Sequence, residues 1–486
     1  MHWSIPSLLA AALPAAAAAT YDSCKLVNAK IPGRISYPGT QIYNSSLSSY
    51  YGGQERELSP NCIFRPTTTA EVAHFVKLMT SNKCQSKFAV RGGGHTFCAG
   101  AANIDPGITV DMRLMNHVEL SKDKKIVRVG GGAIWDTVYE HLVPHNLTAM
   151  GGRIPGIGVG GFATGGGITF SSREHGFSCD NIYGYEIVLG NGKAIYADQT
   201  SHPDLWLALK GGSNNFGIVT RFDVAAIPQG KMWYNLVNYD YTDETLQAHA
   251  EAFSNFMKPE NHDGAAMMAM FVNLVGGNFV IADALWYTKG IESPAIYDNF
   301  TRIPNHGGVS ELKTVDHIIA DFGQSIPTQV PRGYQLTFSF HNPDADIYMQ
   351  LFKIWEETVQ KVAHVEGIFV EFLVQPHPVT NGTNMFGLTP GKLDDVMIDM
   401  TSAYTNKADD ALVKSVITEI VDKQRALLKS SGHLMDFIYL NYADTSQKVL
   451  QSWGRDKVAI LKKVSKKYDP KGVFQKRVPG GFKIPM

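Results

Sequence analysis

The spacing of apolar residues changes several times along the chain, and each change marks an element. Residues 66–73 open with a proline and three threonines, any of which can cap a helix. Val72, Phe75, Val76 and Met79 then follow at three- and four-residue steps, which predicts a helix. Short apolar runs at 87–91, 108–112 and 126–129 read as strands, the last entering Gly130-Gly131-Gly132 and a helix over 133–139. Two alternating runs, 185–189 and 194–197, flank Asn191-Gly192, the strongest hairpin signal in the chain. A short helix over 202–210 and a strand over 215–222 complete this half. From Pro228 onward, strand-like runs such as 269–274 and 335–340 alternate with amphipathic helices near 343–363 and 407–430. The end differs again: 446–467 reads as a basic helix, stopped by the segment 469–474. This mixture predicts an α+β fold, without internal repeats or a long low-complexity linker.

A chain of 486 residues can hold two or three domains with ample core. Its net charge of −1 removes any electrostatic case for nucleic acid or an anionic membrane as partner. Near the start, the apolar run 7–13 and the small residues 15–19 predict a secretory signal over 1–19. Later apolar runs are too short for a membrane span. Asn44, Asn146, Asn299 and Asn381 each begin an N-glycosylation sequon, in keeping with secretion. The five cysteines are Cys24, Cys62, Cys84, Cys98 and Cys179, an odd count that leaves at least one outside ordinary pairing. None of their spacings matches a metal site, so no metal is expected.

Two glycine-rich stretches carry the candidate chemistry. Arg91-Gly92-Gly93-Gly94-His95 leaves a predicted strand, where glycines let backbone approach a bulky ligand closely. The run 151–167 follows about sixty residues later. Within it, Gly158, Gly160 and Ala163 match a dinucleotide-binding variant, and Asp180 lies near the spacing for a ribose contact. That fingerprint needs a strand immediately before it, whereas Pro155 and several glycines stand there. A loop of backbone N–H groups cradling a pyrophosphate is the better reading. His95, taken alone, reads equally as a side chain capping the glycine turn.

The Arg91–His95 segment, the run 151–167 and Tyr439-Leu440-Asn441-Tyr442, in this order and at these separations, resemble the berberine bridge enzyme-like flavoproteins. These are FAD-linked oxidoreductases with a PCMH-type FAD domain, within the vanillyl-alcohol oxidase superfamily. The resemblance runs from about Cys24 to Phe482 and is strongest to fungal secreted members, many of which act in secondary metabolism. It implies a two-part FAD domain over 58–229 with 20–57 as its extension, a substrate domain over 230–435, and a segment over 436–486 that returns to the flavin.

The resemblance also implies roles. His95 matches the histidine bonded to the flavin 8α carbon. Arg91, Gly92, Gly93, Gly94, Gly158, Gly160, Gly161, Thr164, Gly165, Gly166, Gly167, Ile218, Asn441 and Tyr442 match cofactor-binding positions. Many members add a cysteinyl bond to the flavin, but Ile154 stands at that position, so attachment is expected through His95 alone. Ile157 falls at the position that gates oxygen; its β-branching favours an oxidase. The family's disulfide maps to Cys24 and Cys84, leaving Cys62 and Cys179 as buried thiols, with Cys98 in the wrong loop to replace the missing cysteine. Tyr439 is the first candidate base. Glu371 is the second, either facing the pocket or lying on a solvated strand face, and His341 is weaker.

The implied activity is oxidation of a small secondary metabolite by hydride transfer to FAD, with O2 as reoxidant; some members couple this to ring closure. A monomer is expected. A carbohydrate oxidase and a flavin-containing binding protein without turnover are the alternatives. Met267, Met268, Met270, Phe271, Trp286 and Tyr287 suggest an apolar pocket, which favours a hydrophobic metabolite, although they read equally as core.

Overall fold

Thr68 caps the first predicted helix, its hydroxyl accepting from the Glu71 N–H, and Val72, Phe75, Val76 and Met79 are its buried face. The computed structural model that shows this describes residues 23–81, 84, 86–324 and 326–485. The predicted signal segment, residues 1–19, lies outside the described residues.

Three sheets build most of the molecule. One has four strands in the order Ile35–Ser36, Cys62–Phe64, Ile108–Asp111, Phe88–Arg91, the last three parallel. The second is an antiparallel sheet in the order Val118–Leu120, Ile126–Gly130, Gly217–Ala225, Ile182–Leu189, Ala194–Asp198. Its hairpin turns at Asn191-Gly192, with Gly192 at φ +74°. The third is a seven-stranded antiparallel sheet in the order Gly308–Lys313, Met232–Tyr239, Asn278–Tyr287, Ala266–Val275, Phe369–Pro376, Asp395–Tyr404, Arg332–His341. Helices Asp243–Phe256, Ala345–Val359 and Asp410–Ser430 cover its outer face, where Val370, Phe372 and Val374 are buried. Alternation along that strand turns Glu371, Leu373 and Gln375 to the inner face, toward the glycine-rich loops.

The C-terminal helix is broken where the sequence predicts one piece. Gly454 at φ +100° separates Val449–Ser452 from Arg455–Tyr468. The chain then returns to the first sheet, where Phe88 N–H donates to the Arg477 carbonyl at 2.8 Å and Phe474 packs edge-on against Phe88.

The disulfide expectation is corrected here. Cys24 is bonded to Cys62, and Cys84 is a buried free thiol. The helix through 23–30 does lie against this sheet, but its cysteine meets the strand Cys62–Phe64. Cys84 instead sets its thiol 3.0 Å from the Ser23 hydroxyl, one residue away from the expected partner. Cys98 and Cys179 are also buried and free. All four sequon asparagines are exposed. Among the described residues, no helix is long and apolar enough to cross a membrane, and no cluster of potential metal ligands occurs.

Candidate functional site

The two glycine-rich stretches meet back to back. A Cβ placed on Gly93 would fall 2.6 Å from the Gly158 nitrogen, and one on Gly158 would fall 2.2 Å from the Gly93 nitrogen. Only glycine permits that approach. On the open side a Cβ at Gly161 would meet nothing within 4 Å, and at Gly92 nothing nearer than 3.7 Å. The pair therefore forms a smooth backbone wall with free space before it. No strand precedes Gly158 directly; the helix Val159–Thr164 starts after an irregular stretch, so the dinucleotide-fold reading fails on its own criterion. Asp180 is committed elsewhere, accepting from Thr380, Asn384 and the Phe177 N–H.

His95 stands at the end of this wall. Its ring stacks on Tyr51 with centroids 3.9 Å apart and planes 14° from parallel. Burial lowers its pKa to about 4, so the imidazole is neutral at physiological pH, the form that acts as a nucleophile. Gly156 lies alongside, where a Cβ would come 4.0 Å from His95 Cδ2. Ile154 and Ile157 are half-buried on the same loop. Asp136 holds that loop by accepting from the Gly156 N–H at 2.9 Å.

Opposite lies the inner face of the large sheet. Strand register lines up Asn273, Glu371, Thr401 and Gln335 as one polar row across four strands. One step along, Asp399 pairs with Leu373, and Gln335 Nε2 donates to both Asp399 oxygens at 2.9 and 2.8 Å. Burial, with Asp399 adding to it and Arg153 opposing, raises Glu371 to about 8. Burial likewise raises Asp399 to about 7 against its hydrogen bonds from Gln335 and Thr401. Two carboxyls raised toward neutrality on one sheet face have the chemistry to exchange a proton with a bound molecule. Arg153 reaches across from the glycine loop, its Nη2 donating to Gln375 Oε1 at 2.7 Å and to the Tyr442 hydroxyl at 3.1 Å. Burial pushes the Tyr51 phenol up to about 12, with Glu371 and Asp399 adding to the shift, which ties the His95 stack to the carboxyl pair.

The remaining predicted positions divide into those near this space and those engaged elsewhere. Tyr439 is 1% exposed. Its hydroxyl accepts from the Gly167 N–H at 2.9 Å and from Asn441 Nδ2 at 3.1 Å. Asn441 also donates to the Phe162 carbonyl. Gly165, Gly166 and Gly167 are hemmed in by Asn441, Tyr439, Phe386 and Phe162, so protein packing accounts for their lack of side chains. Thr164 bonds back to the Gly160 carbonyl. Arg91 backs the glycine turn, donating to the Ser46, Ser49 and Gly93 carbonyls with its guanidinium 3.6 Å over Tyr50. Ile218 is buried in the core below the first sheet. His341 is half-exposed and paired with Asp395 at the far end of its strand.

The apolar-pocket reading also changes. Met268 and Met270 face the outer helices, Met267 and Trp286 are core, and Phe271 is the half-buried member on the inner face. Burial pushes the Cys98 thiol up to about 12, which disfavours the reactive thiolate. Arg153, Asp399, Gln335, Gln375 and Tyr51 escape sequence reasoning. The strand registers that gather them leave no local signal, although Arg153 stands inside a motif already singled out.

FAD, the cofactor the resemblance implies, suits these residues. The backbone wall can take a long flat ligand without side-chain conflict, and a neutral imidazole stands at its end.

Comparisons with known proteins agree. Residues 60–198 match a family described as an FAD binding domain. An FAD-dependent monooxygenase of Emericella nidulans is 34% identical over 95% of this chain and 98% of its own length. The wild-type BBE-like 1 protein of Physcomitrella patens superposes with a TM-score of 0.77 at 21% identity, covering 95% of this chain and 99% of that one. A glucooligosaccharide oxidase of Acremonium strictum, described as carrying a 6-S-cysteinyl, 8α-N1-histidyl FAD, gives a TM-score of 0.77 at 16% identity over 95% and 98% of the two chains.

Proposed function

From the premise that this chain belongs to the berberine bridge enzyme-like family of FAD-linked oxidoreductases, we propose that it oxidises a small secondary metabolite between the glycine wall and the inner face of the large sheet. Bound FAD supplies the hydride acceptor, which O2 regenerates. The observation that carries the reading is the Glu371–Asp399 pair, two carboxyls held near neutrality on the face turned to the wall. In its ionised form the pair takes the proton of a substrate O–H or N–H at a carboxylate oxygen. Gln335 and Thr401 hold Asp399 in place, while Arg153 and Tyr442 border the space. This assignment sets aside Tyr439, whose hydroxyl is engaged by two N–H donors.

His95 anchors the cofactor through a single covalent bond in this proposal, because Ile154 offers no thiol. Acid-precipitated protein should stay yellow, and His95→Ala should release the flavin. Colourless wild-type precipitate removes the covalent assignment. Anaerobic mixing with an oxidisable substrate tests the base. Glu371→Gln should slow flavin reduction by about 10²–10⁴-fold with flavin content unchanged. An unaltered rate sinks the assignment, and failure of every substrate to bleach the flavin supports a binding protein instead. Ile157 borders the same loop, and we assign it the oxygen gate of an oxidase. The exposed sequons and the disulfide support passage through the secretory pathway. Ring closure coupled to oxidation would be read from the product.

A second reading has one observation in its favour. The row Asn273, Glu371, Thr401, Gln335 is polar, as a site for sugar hydroxyls would be. Turnover of oligosaccharides in preference to aromatic alcohols would select it.

A further inference from the structure

Arg153 holds a donor that the protein leaves unused. Its Nη2 is engaged by Gln375 and Tyr442, but its Nη1 is buried with no acceptor. A guanidinium stays charged at any physiological pH. Leaving such a donor unfilled in the interior is destabilising, because it has given up its water without gaining an acceptor. The two carboxyls on the facing sheet do not fill it. The Arg153 side chain bonds Gln375 and Tyr442 rather than either carboxyl, and the Asp399 oxygens accept from Gln335 and Thr401. The Arg153 charge acts on both carboxyls only at longer range, opposing the rise that burial causes. Trp286 places its ring 5.5 Å from the guanidinium carbon, which lends the cation only a weak contact.

We propose that Arg153 is a specificity-determining residue that binds an oxyanion of the substrate through Nη1, so that the substrate is an acidic small molecule, a carboxylate or an ionised phenol. The inference rests on the reading above that this face receives substrate. It separates the two functional readings, since a neutral oligosaccharide offers no such group. It also gives the site a division of labour: Arg153 fixes the anionic end, and the carboxyl pair acts on the group being oxidised.

The test is ligand binding to the oxidised holoenzyme, followed by the flavin absorbance difference spectrum and by calorimetry. Two matched probe pairs distinguish the sources of the oxyanion: benzoate against benzamide, and pentafluorophenolate against pentafluoroanisole. Wild-type protein should prefer at least one anion to its neutral partner by roughly 10–100-fold, the range of a charge-assisted hydrogen bond. Which pair shows the preference identifies the class. Arg153→Gln should abolish the preference with flavin content and melting temperature retained, and Arg153→Lys should restore part of it.

Equal binding of anion and neutral partner by wild-type protein overturns the inference. So does a preference that survives Arg153→Gln. A shifted resting flavin spectrum in Arg153→Gln with the anion preference intact also overturns it, because the guanidinium would then serve the cofactor. If Glu371→Gln leaves reduction unaltered while the anion preference holds, the base assignment fails and this inference stands.

Discussion

Glu371 and Asp399 show how burial raises ordinary carboxyls toward the neutral range, as the base proposed above requires. Glu371 is raised to about 8 and Asp399 to about 7, each chiefly by desolvation. The rate of flavin reduction should therefore rise with pH across that window. The apparent midpoint belongs to the pair rather than to either residue. Stability should run the other way. A carboxyl whose pKa is raised by folding holds its proton in the native state after the unfolded chain has released it. Its contribution is complete below the unfolded value and is lost as pH rises through the folded value. Thermal unfolding of the holoenzyme should accordingly show a melting temperature that falls between mildly acidic and mildly alkaline pH, and Glu371→Gln should flatten the slope. An equally steep slope in that variant would place the titration elsewhere. Tyr439 behaves differently. Tyr439→Phe should leave flavin reduction within a few-fold of wild type and cost about 1–3 kcal/mol of stability, because the buried Gly167 N–H loses its acceptor. Reduction slowed a hundredfold, with stability intact, would return Tyr439 to the role of base.

At the level of elements, the bond between Cys24 and Cys62 ties the first helix to the second strand of its sheet. It spans 38 residues, so in the chain-entropy account its removal should cost roughly 3–4 kcal/mol. Cys62→Ser should lower the melting temperature, whereas Cys84→Ser should change it little; the reverse order would restore the pairing first expected. Much of the local structure is legible in the chain. The cap at Thr68, the turn at Asn191-Gly192 and the glycine wall each follow from short-range chemistry. The disulfide partner is not, because Ser23 and Cys24 are neighbours on one helix, and a single residue decides whether Cys62 or Cys84 is reached. The polar row on the large sheet is illegible for a related reason. Glu371 meets Thr401, Asn273 and Gln335 through pairings between strands far apart in sequence, which no local pattern encodes. Even so, its position in an alternating run made Glu371 a candidate, with only the direction of its face undecided.

For the molecule as a whole, the two halves meet along the strand Arg332–His341. Arg332, its side chain 6% exposed, bonds Glu57 Oε1 at 2.5 Å on one side and Asp410 Oδ2 at 2.7 Å on the other. Gln54 adds a bond to the Gly333 carbonyl. Arg332→Ala removes the cation that both carboxylates share, leaving Glu57 its bond from Lys407 and Asp410 its bond from the Tyr404 hydroxyl; it should cost about 1–3 kcal/mol, less than a fully buried pair. Glu57 and Gln54 join this strand to the half that carries the glycine wall, so the variant should also raise the KM for substrate with flavin content unchanged. Unchanged stability and KM would show that the seam is held by its other contacts.

The segment over 436–485 acts as a clasp. Tyr439 and Asn441 brace the glycine loop, Tyr442 meets Arg153, Phe474 packs on Phe88, and Lys483 donates to Asn214 at 2.7 Å. The glycine stretches are thus held in register by residues that lie hundreds of positions later in the sequence, so local unfolding of this one segment would unfasten the cleft from several sides at once.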